Sequence, residues 1–170
     1  MWFDSLNREG GFAYHRYMET AGPRPTLDSR FVDEALKALD QAIAEFGCQA
    51  GTVHLLADGV LVLAASRNIP EFVVGLVSVV PVGKGIAGLA AERREPVSLC
   101  NLQTDTSGQA RPNAKATGME GSVAVPAIDE GGVLRGVLGI AKAEAYDWSD
   151  AEKKRLAELA AGLANHVGKQ

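Results

Sequence analysis

Cysteine is scarce in this 170-residue chain: only Cys48 and Cys100 occur. Two cysteines this far apart make no zinc motif and no disulfide scaffold. Long apolar runs are missing as well. The most apolar stretch, residues 72–82, is broken by Gly75, Ser78 and Pro81, well short of the roughly 20 residues that cross a bilayer. Residues 1–11 bring acids early and no apolar block, so they lack the pattern of an export signal. Without one, the thiols are expected to be reduced and the chain cytoplasmic. A basic excess is also absent: 17 Lys and Arg face 21 Asp and Glu, for a net charge of −4, which offers nucleic acid no sequence-wide field. What is present is ordinary for one globular domain, with 46% hydrophobic and 22% charged residues.

Residues 1–26 stand apart as an arm. They hold Trp2, Phe3, Phe12, Tyr14 and Tyr17 and end in Gly22-Pro-Arg-Pro25, a rigid extended connector. Aromatics are unusual in disordered tails, so the arm is expected to pack on a surface of its own chain or a partner's. Residues 27–46 read as a helix. Phe31, Leu36, Leu39, Ile43 and Phe46 recur near helical spacing, Thr26 or Asp28 can cap the start, and Gly47 can end it.

Two strand-like runs follow, 52–56 and 61–65, joined across Asp58-Gly59, a hairpin signal. Pro70 fits the first turn of a short helix over 71–76. The run 79–82 contains Pro81 and reads as an edge strand, since proline cannot serve an interior ladder. Gly83-Lys-Gly85 opens a second short helix over 86–93, and a strand follows at 97–100. Residues 101–118 form a long polar loop, and loops of that length in compact domains tend to cover or bind something. Strands at 122–128 and 133–141 flank Asp129-Glu-Gly-Gly132. Ser149 and Glu152 make a capping box for a last helix carrying Leu156, Leu159, Leu163 and Val167 on one stripe. The order predicts an α+β fold. An antiparallel sheet of five or six strands carries the terminal helices on one face and the short helices with the long loop on the other.

In this order and spacing several short segments resemble the GAF domain family. They are Val82-Gly-Lys-Gly-Ile-Ala-Gly88, Arg94-Glu-Pro-Val97, Ser122-Val-Ala-Val-Pro126, Gly136-Val-Leu-Gly139 and Trp148-Ser-Asp-Ala-Glu152. The resemblance covers residues 27–167 and suggests a small stand-alone bacterial member. It implies a ligand pocket between the sheet, the short helices and the long loop. Carried onto this chain, that pocket uses Phe72, Leu76, Ile86 and Ala87, with Asp105, Arg111 and Lys115 on the closing loop and Ser122 on the floor. The same apolar residues would also suit a filled core. Arg111 and Lys115 could meet an anion, although most charged loop residues are merely solvated.

The glycines around Lys84 lack the frame of a phosphate loop, because Ile86 follows Gly85 and no earlier glycine is in register; close helix packing is the expected reason for them. The enzymatic branch of the family is similar to free methionine sulfoxide reductase, whose chemistry runs through a reactive thiolate. Here Ala87 stands where a thiol is expected, the loop has no cysteine, and Ser122 replaces an expected acid. Cys100, beside the loop, is the one candidate redox thiol. His15, His54 and His166 are scattered, so no metal and no cofactor is expected. The expected function is a non-catalytic sensor of a small organic ligand, dimerising through its terminal helices and signalling to a partner chain or domain. A ligand-free interaction module is the first alternative and the reductase the second.

Overall fold

The computed structural model describes residues 24–169. Residues 1–23 of the expected arm lie outside the described part; at its end the Arg24 guanidinium donates to the Leu63 carbonyl at 2.9 Å. The elements run α1 (Ser29–Phe46), β1 (Ala50–Ala57), β2 (Val60–Arg67), α2 (Glu71–Leu76), β3 (Val79–Pro81), α3 (Gly85–Arg93) and β4 (Val97–Leu99). A 3-10 helix (Pro112–Thr117) follows, then β5 (Gly121–Ile128), β6 (Leu134–Lys142) and α4 (Asp150–Gly168). The six strands form one antiparallel sheet in the order β3-β2-β1-β6-β5-β4.

Local chemistry sets the boundaries. Asp28 accepts the Arg30 amide at the start of α1, and Gly47 closes the helix in the left-handed region. The Arg30 side chain on the same carboxylate holds Asp28 down at about 2. The Asp58-Gly59 turn joins β1 to β2 in register from Ala57 opposite Val60. Pro81 sits at the end of the outermost strand β3, where its missing N–H leaves no gap in the ladder. Ser149 accepts the Glu152 amide while the Glu152 carboxylate accepts the Ser149 amide, so the capping box is complete.

The helices divide as their stripes dictate. Ala35, Leu39 and Ala42 of α1 and Leu156, Ala160 and Leu163 of α4 bury against Val53, Leu55, Val123, Val125, Leu138 and Ile140 of the sheet. Both apolar stripes named in the sequence are therefore spent mainly on the sheet. The opposite face is covered by α2, α3 and the long loop over a smaller cluster of Leu61, Val80, Ala90, Ala91, Val97, Ala124 and Val137. The glycines at the start of α3 are packing residues. A Cβ on Gly88 would stand 2.5 Å from the Pro81 carbonyl oxygen, so only glycine lets α3 sit this close to β3. Among the described residues no helix is long and apolar enough to cross a membrane.

Candidate functional site: a hollow under the long loop

Side chains alternate across the strands, and on β1, β5 and β6 the alternation is one of size. Residues turned to the terminal helices are large: Val53, Val123, Leu138 and Ile140. Facing the other way, a patch of small residues lies together, Thr52 on β1, Ser122 and Ala124 on β5, Gly139 and Ala141 on β6, with the larger His54 and Val137 farther along β1 and β6. The register puts Thr52 opposite Gly139, Ala124 opposite Gly139, and Ser122 opposite Ala141. The small side chains are thus neighbours and leave a shallow floor.

A cavity of about 160 Å³ stands on that floor. Ile69, Val73, Leu76 and Val77 form one wall, from α2 and its flanks. Gly85, Ile86 and Ala87 at the start of α3 form another, with Lys84 on the rim. The loop closes it with Leu102, Ala110, Arg111, Asn113, Ala114, Thr117 and Met119. The loop is held by its own polar groups. Gln103 Nε2 donates to the carbonyls of Lys115 and Met119 at 3.0 and 2.7 Å, and Thr117 Oγ1 donates to the Ala114 carbonyl at 2.7 Å. Side chains three apart share a face of a 3-10 helix, so Ala114 and Thr117 line the hollow together.

Five of the eight pocket residues named from the sequence come together here: Leu76, Ile86, Ala87, Arg111 and Ser122. Three do not. Phe72 is 63% exposed. In a six-residue helix, Val73 and Leu76 take the inward phase with Val77 just beyond, and Phe72 falls one position outside it. Asp105 is a turn residue whose carboxylate accepts the Ser107 hydroxyl at 2.8 Å. Lys115 is exposed on the 3-10 helix, and what it gives the loop is its carbonyl. Reasoning from sequence missed Val73, Thr52, His54, Asn113, Thr117 and Met119; the alternation of small and large residues in β5 and β6 is the signal that could have found the floor.

Two polar atoms at this cavity are buried without a partner. One is Arg111 Nη1. Its aliphatic stem lies over Gly85, where a Cβ would meet Arg111 Cγ at 3.0 Å and Cδ at 3.1 Å. Gly85 itself is at φ 66°, so glycine both makes the turn and clears the path of the arginine. The other is His54 Nδ1. His54 is 3% exposed, and its Nε2 lies 2.9 Å from the Val77 carbonyl. A carbonyl only accepts, so Nε2 carries the hydrogen and Nδ1 presents a bare lone pair. Burial pushes the imidazole down to about 4, with the Arg24 charge opposing protonation further. The site therefore places an arginine and a neutral histidine ring in a mostly apolar wall.

Neither thiol lines the cavity. Cys48 is buried beneath α1, and burial raises it to about 11, far from the thiolate that attacks sulfur. Cys100 is exposed at the end of β4, outside the cavity lining. Among the described residues no group of three or more His, Cys, Asp or Glu could hold a metal ion.

Solved structures with similar folds include the GAF domain of a phosphoenolpyruvate-protein phosphotransferase from Coxiella burnetii. It is 22% identical, covering 96% of this chain and 94% of that one at a TM-score of 0.67. The corresponding domain from Acinetobacter is 17% identical, with 96% and 95% covered at 0.64. Free methionine-R-sulfoxide reductase from Neisseria meningitidis, solved with its substrate, is 18% identical, with 82% and 78% covered at 0.65. These likenesses establish the fold. A comparison with curated proteins finds no match. The GAF domain family model matches residues 29–167, and with six antiparallel strands between two pairs of helices and a roofed hollow, the chain belongs to that family.

Proposed function

We propose that the protein is a non-catalytic sensing module whose cavity takes up a small organic molecule. The observation that carries this reading is the hollow itself, walled by apolar side chains with a few polar residues, Arg111 and His54 among them. A concave apolar site with a few fixed polar groups is what small-ligand recognition requires. The same observation weighs against a ligand-free interaction module, since a filled core leaves no such space. The reductase alternative lacks its chemistry: the cavity contains no sulfur nucleophile, and Ala87 and Ser122 stand where the resemblance called for a thiol and an acid.

Occupancy has a short path to the outer face. Thr52, Ser122 and Gly139 touch the guest space, while their chain neighbours Val53, Val123, Leu138 and Ile140 touch α1 and α4. A ligand that shifts these strands shifts the bed of the terminal helices, through which a second copy or a partner protein would read the change. The test is a thermal-shift screen of the protein against a metabolite library, paired with native mass spectrometry of the freshly purified chain. The expected result is a retained small molecule or a class of compounds that raises Tm by mass action. An empty spectrum together with a flat screen would remove the sensor reading.

A further inference from the structure

We infer that the guest is a small monocarboxylate, with its apolar body on the strand floor and its anionic head on Arg111. The inference rests on the cavity reading above and goes further, to the chemical class. Charge is the first argument. Among the described residues the charged ones lining the cavity are Lys84 and Arg111, with no Asp or Glu. Arg111 enters none of the ion pairs among the described residues. A guanidinium never gives up its proton, and Arg111 Nη1 has no acceptor among the described residues. A carboxylate fits that need best, because the planar fork matches its two oxygens.

The surroundings agree in sign. Helix α3 begins at the cavity wall with Lys84 at its cap position and no side-chain cap, so its positive end adds to the same field. His54 contributes no charge, being neutral at ordinary pH.

Size is the second argument. An apolar cavity of comparable volume accommodates benzene. A hollow of about 160 Å³ therefore suits a body of roughly six to ten non-hydrogen atoms. The floor of Thr52, Ser122, Ala124, Gly139 and Ala141 is nearly flat and offers hydroxyls at only two points. Such a floor accepts a short acyl chain or a single ring, not a polyol.

Five probes decide the matter by calorimetry and thermal shift: hexanoate, benzoate, hexanamide, benzamide and hexylammonium. The two carboxylates are expected to bind at least tenfold more tightly than their amides, with hexylammonium weakest. Carboxylate affinity should fall as sodium chloride is raised. Arg111→Gln should erase the preference for carboxylate over amide, and Arg111→Lys should retain part of it. In the unliganded protein Arg111→Gln should leave Tm unchanged or raise it, since the native guanidinium lacks a partner there; a folding defect is thereby told apart from a binding defect. Amides that bind as well as carboxylates, or an Arg111→Gln variant with its preference intact, would overturn the anion assignment while the cavity reading stands. No binding by any probe at millimolar concentration would also overturn it. The library screen then decides separately whether the hollow takes any guest.

Discussion

The two faces of the one sheet are built to opposite ends. On the face under α1 and α4, the strands present Val53, Leu55, Val123, Val125, Leu138 and Ile140, all buried, and two helices press on them. On the other face the same three strands present Thr52, Ser122, Ala124, Gly139 and Ala141 below a loop and two short helices. A strand's period of two lets one segment serve both ends at once. In Val137-Leu-Gly-Ile-Ala141, Leu138 and Ile140 hold the protein together while Gly139 and Ala141 keep a space open. Close packing and open space are thus divided by face rather than by region of the chain. Mutations on adjacent residues should report the difference.

The largest effect is expected on the filled face. Leu138 is fully buried among the α1 and α4 contacts. Leu138→Ala should cost about 2–5 kcal/mol in denaturant unfolding, from lost transfer energy and an unfilled cavity. A cost below about 1 kcal/mol would mean that this face is not close-packed. Next comes acid sensitivity, which belongs to the hollow face. His54 falls to about 4 from its usual 6.5 because it is buried. The unfolded chain therefore takes the proton first as pH falls. Stability from this group is complete above pH 6.5 and is lost between pH 6.5 and about 4. At about 1.4 kcal/mol per pH unit, the loss is on the order of 3 kcal/mol. The Arg24 charge opposes protonation as well, against the Val77 hydrogen bond, which favours it. His54→Gln should flatten the stability profile across that window, and an unchanged slope would place its origin elsewhere.

The filled face was legible in the sequence because hydrophobic spacing speaks of it directly. The stripes of α1 and α4, the Asp58-Gly59 hairpin, the edge proline Pro81 and the Ser149–Glu152 box all state local rules with one physical solution. The hollow was legible only in part. Ile86, Ala87 and Ser122 follow from the strand and helix positions that the family resemblance marks. Phe72 was mistaken for a wall residue because six residues are too few to fix a helical phase, and its neighbour Val73 took the inward place. The 3-10 helix at Pro112–Thr117 left no periodic trace, and its Lys115 carbonyl is held by the Gln103 side chain, a contact 12 residues away that only the folded loop makes. His54 looked like an ordinary strand histidine. Its bare Nδ1 becomes evident only when Val77, 23 residues on, claims Nε2.

Two of the three glycines of the central strand pair sharpen the contrast between the faces with smaller effects. Gly51 on β1 and Gly139 on β6 lie one register step apart, Gly51 opposite Ile140 and Thr52 opposite Gly139. A Cβ on Gly51 would stand 2.7 Å from Leu39 Cδ1 and 2.7 Å from the Gly139 carbonyl oxygen. Gly51→Ala should therefore overpack the filled face and cost about 1–3 kcal/mol. A Cβ on Gly139 would meet nothing closer than 3.7 Å. Gly139→Val puts a good strand former where glycine costs about 0.5–1 kcal/mol of chain entropy, so its stability should be unchanged or slightly higher. Its side chain would, however, occupy the floor of the hollow. Smallest in denaturant, this variant should be the most severe in binding, abolishing every thermal shift the wild type shows. A Gly139→Val protein that still responds to the same ligands would mean that the guest does not rest on the sheet, and that the open face is open for another reason.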